Sequence, residues 1–302
     1  MIRAVDLSAW SLDPFVLLGV GVVAVLYTRG WRYLRRHSRH AATKAQATCF
    51  GVGLGLILLA LVSPIGTYDS DLFSLHMTEH LLLTVGAPPL LLLGSPLLAL
   101  LWGLPDQERR GAARLLRPNG GLFRVGSALA QPPVALALFV TTFALWHVPV
   151  LYDAAQGETL IHYTEHILFF STALLFWWPV IHPGGGARSL GKIAAIAYVS
   201  IPMLEGTLIG ALLTLAQRPF YATYVDAPRL TGLSPLDDQQ LAGLIMWIPG
   251  GVVYGIAVLW LLASALRDEE AHAAAIEAEA EAADRAAAEA RAAAQAQSAI
   301  KA

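Results

Sequence analysis

The octapeptide Leu75-His76-Met77-Thr78-Glu79-His80-Leu81-Leu82 returns 86 residues later as Ile161-His162-Tyr163-Thr164-Glu165-His166-Ile167-Leu168. On an α-helix, two histidines four residues apart share one face, and the glutamate between them borders that face. Two such helices lying side by side would bring four imidazoles and two carboxylates into one small volume. The repeat therefore predicts a metal site shared by two helices.

Both copies of the motif lie inside long apolar runs. Apolar residues make up 56% of the 302-residue chain and charged residues only 14%, a composition typical of multi-span membrane proteins and not of soluble domains. Runs long enough to cross a bilayer occur at residues 14–27, 47–62, 73–93, 132–150, 160–181, 193–215 and 240–266. We therefore expect an all-α membrane protein, a bundle of seven transmembrane helices in residues 1–267.

Basic residues alternate between the connecting segments and indicate the orientation. They follow the first, third, fifth and seventh runs: Arg29, Arg32, Arg35, Arg36, Arg39 and Lys44, then Arg109, Arg110, Arg114, Arg117 and Arg124, then Arg188 and Lys192, then Arg267. The other side carries only Arg3, Arg218 and Arg229 and most of the loop carboxylates. By the positive-inside rule, we expect the N-terminus outside and the C-terminus in the cytoplasm of a bacterial plasma membrane. Residues 1–13 lack the basic segment of a signal peptide, so we expect the first helix to be retained.

Charge and cysteine content limit the partners and the chemistry. The formal net charge of −2 gives no indication of a nucleic-acid partner, and the basic loops need only anionic membrane lipid. Cys49 is the single cysteine of the chain, which excludes an intrachain disulfide and Cys-x-x-Cys metal or redox chemistry. Any metal must therefore be held by histidine, methionine and carboxylate.

Two segments depart from the plain pattern of spans. In the third run, Pro88 and Pro89 interrupt the helix, Gly94-Ser95-Pro96 should end it, and residues 97–104 should form a short interfacial helix. Residues 268–302 are rich in alanine and glutamate. We expect them to form a cytoplasmic tail, either helical or disordered, without a site.

The histidines of the two motifs are the primary candidate ligands: His76, His80, His162 and His166. Residues that could add to the site or support it from behind are Glu79, Glu165, Met77, His147 and Asp238. We expect the two glutamates to orient imidazoles and a thioether to favour Cu(I). Asp238, like its neighbour Asp237, could instead cap the start of the seventh helix. Tyr68, Asp69 and Asp153 in the outer loops have similarly open roles.

Other metals fit the same residue types. Imidazole binds copper, zinc and iron. His-x-x-Glu-His is also the inverted zincin pattern, so a seven-helix membrane zinc hydrolase acting on lipid is an alternative. Histidines on two helices could also hold a single haem, whereas a two-haem electron carrier would need histidine pairs near both faces of the membrane.

Several further segments accompany the two quoted motifs: Ala87-Pro88-Pro89-Leu90 and the following residues to Pro96, Leu174-Leu175-Phe176-Trp177-Trp178-Pro179, Pro228-Arg229, the segment from Asp237 to Gly243 and Met246-Trp247. Together with the motifs, they resemble the CtaG family of caa3-type cytochrome c oxidase assembly factors. The resemblance covers most of the chain from residue 71 to residue 266. It implies a seven-helix membrane protein without catalytic turnover that matures a haem-copper oxidase, with copper, as Cu(I) or Cu(II), as the usual proposed cargo. Its implied partners are the oxidase subunits, and a periplasmic or extracytoplasmic copper donor would be a further one.

Overall fold

The structure is a computed structural model that describes residues 6–37, 42–117, 120–182, 190–227 and 230–301, with side chains described to residue 290. Within these ranges the chain is helical and contains no strand. The helices are α1 (Pro14–His37), α2 (Lys44–Leu61), α3 (Pro64–Thr67), α4 (Phe73–Leu81), α5 (Ala87–Leu93), α6 (Pro96–Gly103), α7 (Asp106–Leu115), α8 (Gly121–Leu129), α9 (Pro132–Trp146), α10 (Pro149–Gly157), α11 (Thr159–Ile181), α12 (Lys192–Thr214), α13 (Ala222–Val225) and α14 (Pro235–Lys301). Five residues named above for the basic segments or the family motifs lie outside the described ranges: Arg3, Arg39, Arg188, Pro228 and Arg229.

Five helical segments of the described chain are long and apolar enough to cross a membrane, and the number rises to seven if each of two bent helix pairs counts as one span. The five lie in α1, α2 with α3, α11, α12 and α14. The bent pairs are the segment Phe73–Leu93 with α6, and α8 with α9. The protein is therefore a multi-pass, all-helical membrane protein.

The third apolar run is broken where its prolines and glycine predicted a break. The helix widens into a π-helical turn at Leu82–Gly86 before continuing as α5, and then turns by 69° into α6. Ser95, at the turn, has a left-handed backbone with φ of 50°, and Pro96 begins α6 without needing a backbone donor. The predicted short helix is confirmed as Pro96–Gly103.

The short helix α6 packs against α1. A Cβ added at Gly30 would collide with the Ala99 carbonyl, and one added at Gly103 would collide with the Leu26 carbonyl. Glycine at these two positions lets the two backbones touch, as small residues do between membrane helices. α6 is therefore held against α1 by direct contact between the two backbones.

Two expectations about helix ends and loops are wrong, and the tail takes the helical one of its two expected forms. The fourth span ends at Trp146, and α10 starts at Pro149 after a turn, because proline disfavours helical geometry in the residue before it. The segment after the third span, which was read as a basic loop, folds into α7 and α8. The tail continues α14 as one helix to Lys301, consistent with the high helix propensity of alanine, glutamate and arginine.

Two parallel helices place the repeated motifs side by side. α4 opens the third run, and its N-terminus packs on α14, while α11 packs on α5, on α9 and on the π-helical turn. The buried cluster beneath the motifs contains large aromatic side chains from α9 and α11, including Phe139 and Phe176, which stack with ring centroids 4.8 Å apart. This packing fixes α11 against α9, and the π-helical turn that follows α4 packs on α11.

Candidate metal centre

The structure brings the four motif histidines together. On α4, the ring centroids of His76 and His80 lie 4.1 Å apart, and on α11 those of His162 and His166 lie 4.3 Å apart. Across the two helices, His76 lies 5.4 Å from His162 and His80 lies 5.4 Å from His166, again between centroids. The i, i+4 spacing therefore sets each pair, and the parallel course of the helices sets the pairs against each other.

Ligand atoms converge in two groups that share one residue. One nitrogen each of His76, His80 and His166 lie within 4.8 Å of one another. A second group combines His76 and His162 with a carboxylate oxygen of Asp69 under the same distance limit. His76 belongs to both groups, so the candidate centre is one continuous cluster with two overlapping triads of donors.

The motif glutamates face the histidines of the opposite helix. Oε1 of Glu165 lies 3.7 Å from Nε2 of His80 and 4.0 Å from Nε2 of His76. Oε1 of Glu79 lies 3.7 Å from Nε2 of His166. The side chains of Glu79 and Glu165 are buried, and these distances place them beside the ring nitrogens that would bind a metal.

Many of these polar atoms have no hydrogen-bond partner in the described part of the chain. They include Nε2 of His76, His162 and His166, both ring nitrogens of His80 and at least one oxygen of each motif glutamate. A buried polar atom without a partner is destabilising by about 1–3 kcal/mol, and native proteins contain few of them. A cluster of orphaned imidazole nitrogens next to carboxylates is the donor set that a transition-metal cation would satisfy.

Asp69 is a member of the cluster that was not assigned to the site from the sequence, although it was among the outer-loop candidates. It lies between α3 and α4, outside the membrane spans, and its Oδ2 is 3.5 Å from Nε2 of His162. Burial raises the pKa of the Asp69 carboxyl to about 6, against the lowering effect of the hydrogen bond from the Ser70 amide. Its position depends on the loop before α4, which has no periodic pattern that could have revealed it.

Gln156 is a second residue that the sequence analysis missed. Its side-chain amide nitrogen donates to Nδ1 of His76 at 3.0 Å, and this bond holds the ring with Nε2 turned toward the cluster. The ring of Tyr152 lies edge-on to His76, with centroids 5.1 Å apart, and the Tyr152 hydroxyl hydrogen-bonds that of Tyr224. Tyr224 in turn donates to the carbonyl of Asp69, so one chain of contacts joins His76 to Asp69, two members of the second group, from behind.

The structure gives Asp238 a role in positioning a helix. Its two carboxylate oxygens accept from the backbone amides of Phe73 and Ser74, at 2.7 and 3.3 Å. They cap the start of α4, whose own N-cap residue, Leu72, provides no side-chain cap. Asp238 was expected to cap its own helix or to join the site, and it lies instead behind the metal-bearing helix. Asp237 pairs with Ser234 at the start of α14.

Met77 and His147 lie outside both triads. Met77 is buried in a cluster with Phe73 and Tyr152, on α4 between the two histidines. His147 directly follows α9, and its ring contacts Phe143, with centroids 4.4 Å apart. Neither residue belongs to the His and carboxylate groups described above, and both line a cavity next to His80.

Comparison with known proteins agrees with the sequence motifs. Residues 25–268 match the family of cytochrome c oxidase caa3 assembly factors, Caa3_CtaG. Uncharacterized proteins of Mycobacterium bovis and Mycobacterium tuberculosis are each 28% identical over 249 residues, which cover 80% of this chain and 37% of those proteins.

A third relative, an uncharacterized protein of Mycobacterium leprae, is 25% identical over 270 residues, covering 87% of this chain and 40% of that protein. The chain therefore spans less than half the length of the curated relatives it matches. No solved structure shows significant similarity to it. The family match covers most of the chain, including both histidine motifs, and the chain thus belongs to the caa3 cytochrome c oxidase assembly factors of the CtaG family.

Proposed function

We propose that this protein binds copper at the histidine and carboxylate cluster between α4 and α11 and delivers it during assembly of a caa3-type haem-copper oxidase. The observation that carries the proposal is the convergence of His76, His80 and His166, whose ligand nitrogens lie within 4.8 Å of one another without hydrogen-bond partners in the described chain. Family membership supplies the link to the oxidase.

The donor set favours copper among the metals considered. Imidazole binds Cu(I), Cu(II) and zinc, and at equal donors Cu(II) is held more tightly than other divalent first-row metals. The nearby carboxylates of Glu79 and Glu165 would offset the positive charge that a buried cation brings. Their oxygens lie 3.7 Å from Nε2 of His80 and of His166, on the side of the rings that would face the metal, where a carboxylate could complete the coordination.

An exchange role fits the uneven burial of the four histidines. The side chains of His76 and His80 are 0% and 5% exposed, whereas those of His166 and His162 are 12% and 22% exposed. The Asp69, His76 and His162 triad is therefore the side from which a metal could enter or leave. A carrier needs such an accessible side, and we propose that the protein performs no catalytic turnover.

The proposed membrane arrangement has seven spans, with each bent pair counted as one, and the metal centre on the outer side of the bacterial plasma membrane. The alternating basic segments support this orientation. Exposed leucines such as Leu204, Leu208 and Leu212 on α12 provide a surface for membrane lipid. The oxidase subunits and an extracytoplasmic or periplasmic copper donor are the proposed protein partners.

The test is metal analysis of the protein purified in detergent, by mass spectrometry, for the wild type and for two double variants, His76→Ala/His80→Ala and His162→Ala/His166→Ala. We expect near-stoichiometric copper in the wild type and loss in both double variants, since each removes half of the cluster. His37→Ala, in the described part of α1 far along the chain from the motifs, is the control and should keep its copper.

A different bound metal or cofactor would support one of the alternative functions. Zinc in place of copper, together with turnover of a lipid amide or ester that a chelator abolishes, would indicate the zinc hydrolase. A Soret absorption band would indicate haem. Copper occupancy and oxidase assembly that both survive combined replacement of His80 and His166 would refute the proposal.

A further inference from the structure

A small cavity lies inside the bundle on the inner side of the histidine cluster. It has a volume of about 30 Å³, enough for one water molecule or one ion. Its wall is largely apolar, and α4, α9, α12 and α14 all contribute to it. Four of its lining residues can donate to a metal: His80, His147, Met77 and Met246.

His147 is set to act as a ligand within this wall. Its Nδ1 lies 2.6 Å from the carbonyl oxygen of Phe143, which accepts the Nδ1 proton. The neutral ring then keeps its lone pair on Nε2. The residue is only 9% exposed, and Nε2 has no hydrogen-bond partner among the described residues. Nothing in ordinary packing accounts for a buried imidazole nitrogen left in this state.

His80 stands between the cavity and the histidine cluster. Its Nε2 lies 3.7 Å from the Glu165 carboxylate in the cluster, while its side chain also lines the cavity. Both of its ring nitrogens are buried without a partner in the described chain. One imidazole therefore borders both sites.

The two methionines bring thioethers from different helices to the same cavity. Met77 lies on α4 and is 2% exposed, and Met246 lies on α14 and is 8% exposed. They belong to one buried cluster. Their shared position with two orphaned imidazoles distinguishes them from Met203, which packs against a different cluster and does not line the cavity.

We propose that this cavity is a second metal site, which holds one Cu(I) ion between the thioethers of Met77 and Met246 and the imidazoles of His80 and His147. Thioether is a neutral, soft donor that selects Cu(I) over divalent ions, and the neutral imidazoles bind copper in either oxidation state. A singly charged ion among neutral donors also suits an apolar wall better than a divalent one. Copper that enters as Cu(I) would pass from the histidine cluster to this site through His80 without a change of oxidation state.

The proposal rests on the copper function proposed above but can fail separately from it. The experiment loads the full-length protein in detergent with Cu(I) under anaerobic, reducing conditions. Cu(I) affinity is measured by competition with a chromogenic Cu(I) chelator, and copper K-edge X-ray absorption reports sulphur neighbours. The variants are Met77→Leu/Met246→Leu, which nearly conserves volume, and His147→Gln, with Met203→Leu as the matched control.

We expect sulphur scattering in the wild type and in Met203→Leu, and its loss in the double methionine variant. Cu(I) affinity should fall by at least about 10–100-fold, since the removal of two ligands costs no less than the removal of a residue that only supports a ligand. His147→Gln should lower the affinity and keep the sulphur signal. Cu(II) held at the histidine cluster, measured by electron paramagnetic resonance, should be unchanged in the double variant. If that variant does not fold, Met77→Leu and Met246→Leu are measured singly, and each should lose part of the signal.

The outcomes separate the two proposals. Copper bound by the wild type without sulphur scattering, or sulphur scattering and Cu(I) affinity unchanged in the methionine variants, overturns the cavity site and leaves the histidine cluster as the copper site. A wild-type protein that binds copper in neither oxidation state overturns both.

Discussion

The carboxylate of Glu165 on α11 lies 3.7 Å from Nε2 of His80 on α4. The reciprocal pair, Glu79 on α4 with His166 on α11, has the same spacing. Each copy of the repeated motif therefore supplies the carboxylate that faces the other copy's imidazole. This exchange explains physically why the motif occurs twice, since neither helix alone places a carboxylate against its own ligand nitrogens.

The first prediction concerns the unequal roles of the two glutamates. Glu165 lies within 4.0 Å of both His76 and His80, whereas Glu79 lies near His166. Glu165→Gln should lower copper affinity by about 10–100-fold, and Glu79→Gln should have a smaller effect. Competition titration of the purified variants measures both.

Glu205→Gln is the control for this prediction. Glu205 lies on α12 and belongs to neither donor triad. Its variant should bind copper as the wild type does. Equal losses in Glu165→Gln and Glu205→Gln would contradict a specific contact between Glu165 and the α4 histidines.

The sequence predicts the centre of this site better than its edges. The spacing of four residues fixes His76 with His80 and His162 with His166 on their own helices, and the shared direction of the two spans predicts that the pairs can meet. The limits of α11 and α12 agree within about one residue with the apolar runs. These features follow from periodicity, which a single sequence displays directly.

The remaining parts of the site depend on tertiary contacts. Asp69 and Gln156 reach His162 and His76 from a loop and from a short helix, at positions with no repeat or spacing to mark them. The end of α9 at Trp146 could have been predicted, because Pro149 disfavours helix in the residue before it. That Asp238 caps α4 could not, because its partners lie 165 and 164 residues away in the chain.

Asp238 provides the second prediction. Its carboxylate accepts hydrogen bonds from the backbone amides of Phe73 and Ser74, which begin the helix that carries His76. Asp238→Ala should destabilise the protein by about 1–3 kcal/mol, because two buried amides lose their acceptor, and should weaken copper binding by displacing α4. Asp238→Asn retains a carbonyl acceptor and should recover part of both losses. Thermal unfolding in detergent and copper titration measure the two effects.

Asp237→Ala is the matched control for the cap. Asp237 accepts from Ser234 in the first turn of α14 and does not touch α4. It should change stability by less than about 1 kcal/mol and leave copper affinity unaltered. A drop in copper affinity as large as that of Asp238→Ala would mean that the cap on α4 is not the cause.

The third prediction is that the Asp69 carboxylate lowers the stability of the metal-free protein at high pH, although it serves as a metal ligand. Burial raises the pKa of this carboxyl from 3.8 to about 6, so the folded state holds the proton more tightly than the unfolded state. Stability conferred by the protonated form is therefore lost as pH rises from about 4 to about 6. Asn at this position stays neutral. At pH 8, the free energy of unfolding of Asp69→Asn should then exceed that of the wild type by about 1–3 kcal/mol. Near pH 4, the two proteins should be about equally stable.

The same variant should bind metal less well, because an amide is a poorer ligand than a carboxylate in the triad with His76 and His162. Metal-free unfolding curves at several pH values, paired with copper titration at pH 8, test both parts. Asp71→Asn, two residues along the same loop, is the control and should shift the pH profile less, since Asp71 is half-buried whereas Asp69 is buried. An Asp69→Asn profile parallel to that of the wild type would show that the carboxyl is not the titrating group.

The fourth prediction distinguishes positioning of His76 from simple packing. The Gln156 side-chain amide donates to Nδ1 of His76, and this contact holds the ring with Nε2 directed at the cluster. Gln156→Leu keeps the approximate volume but loses the hydrogen bond, and should lower copper affinity by about 10–100-fold. Gln156→Glu should restore it with the hydrogen bond reversed, because a carboxylate accepts a proton from Nδ1 and so places the lone pair of the neutral ring on Nε2, which faces the cluster. Gln240→Leu, which removes a hydrogen bond to the Ala216 carbonyl away from the cluster, controls for the loss of a half-buried amide. If Gln156→Glu binds copper no better than Gln156→Leu, the side chain acts through packing and not through the orientation of His76.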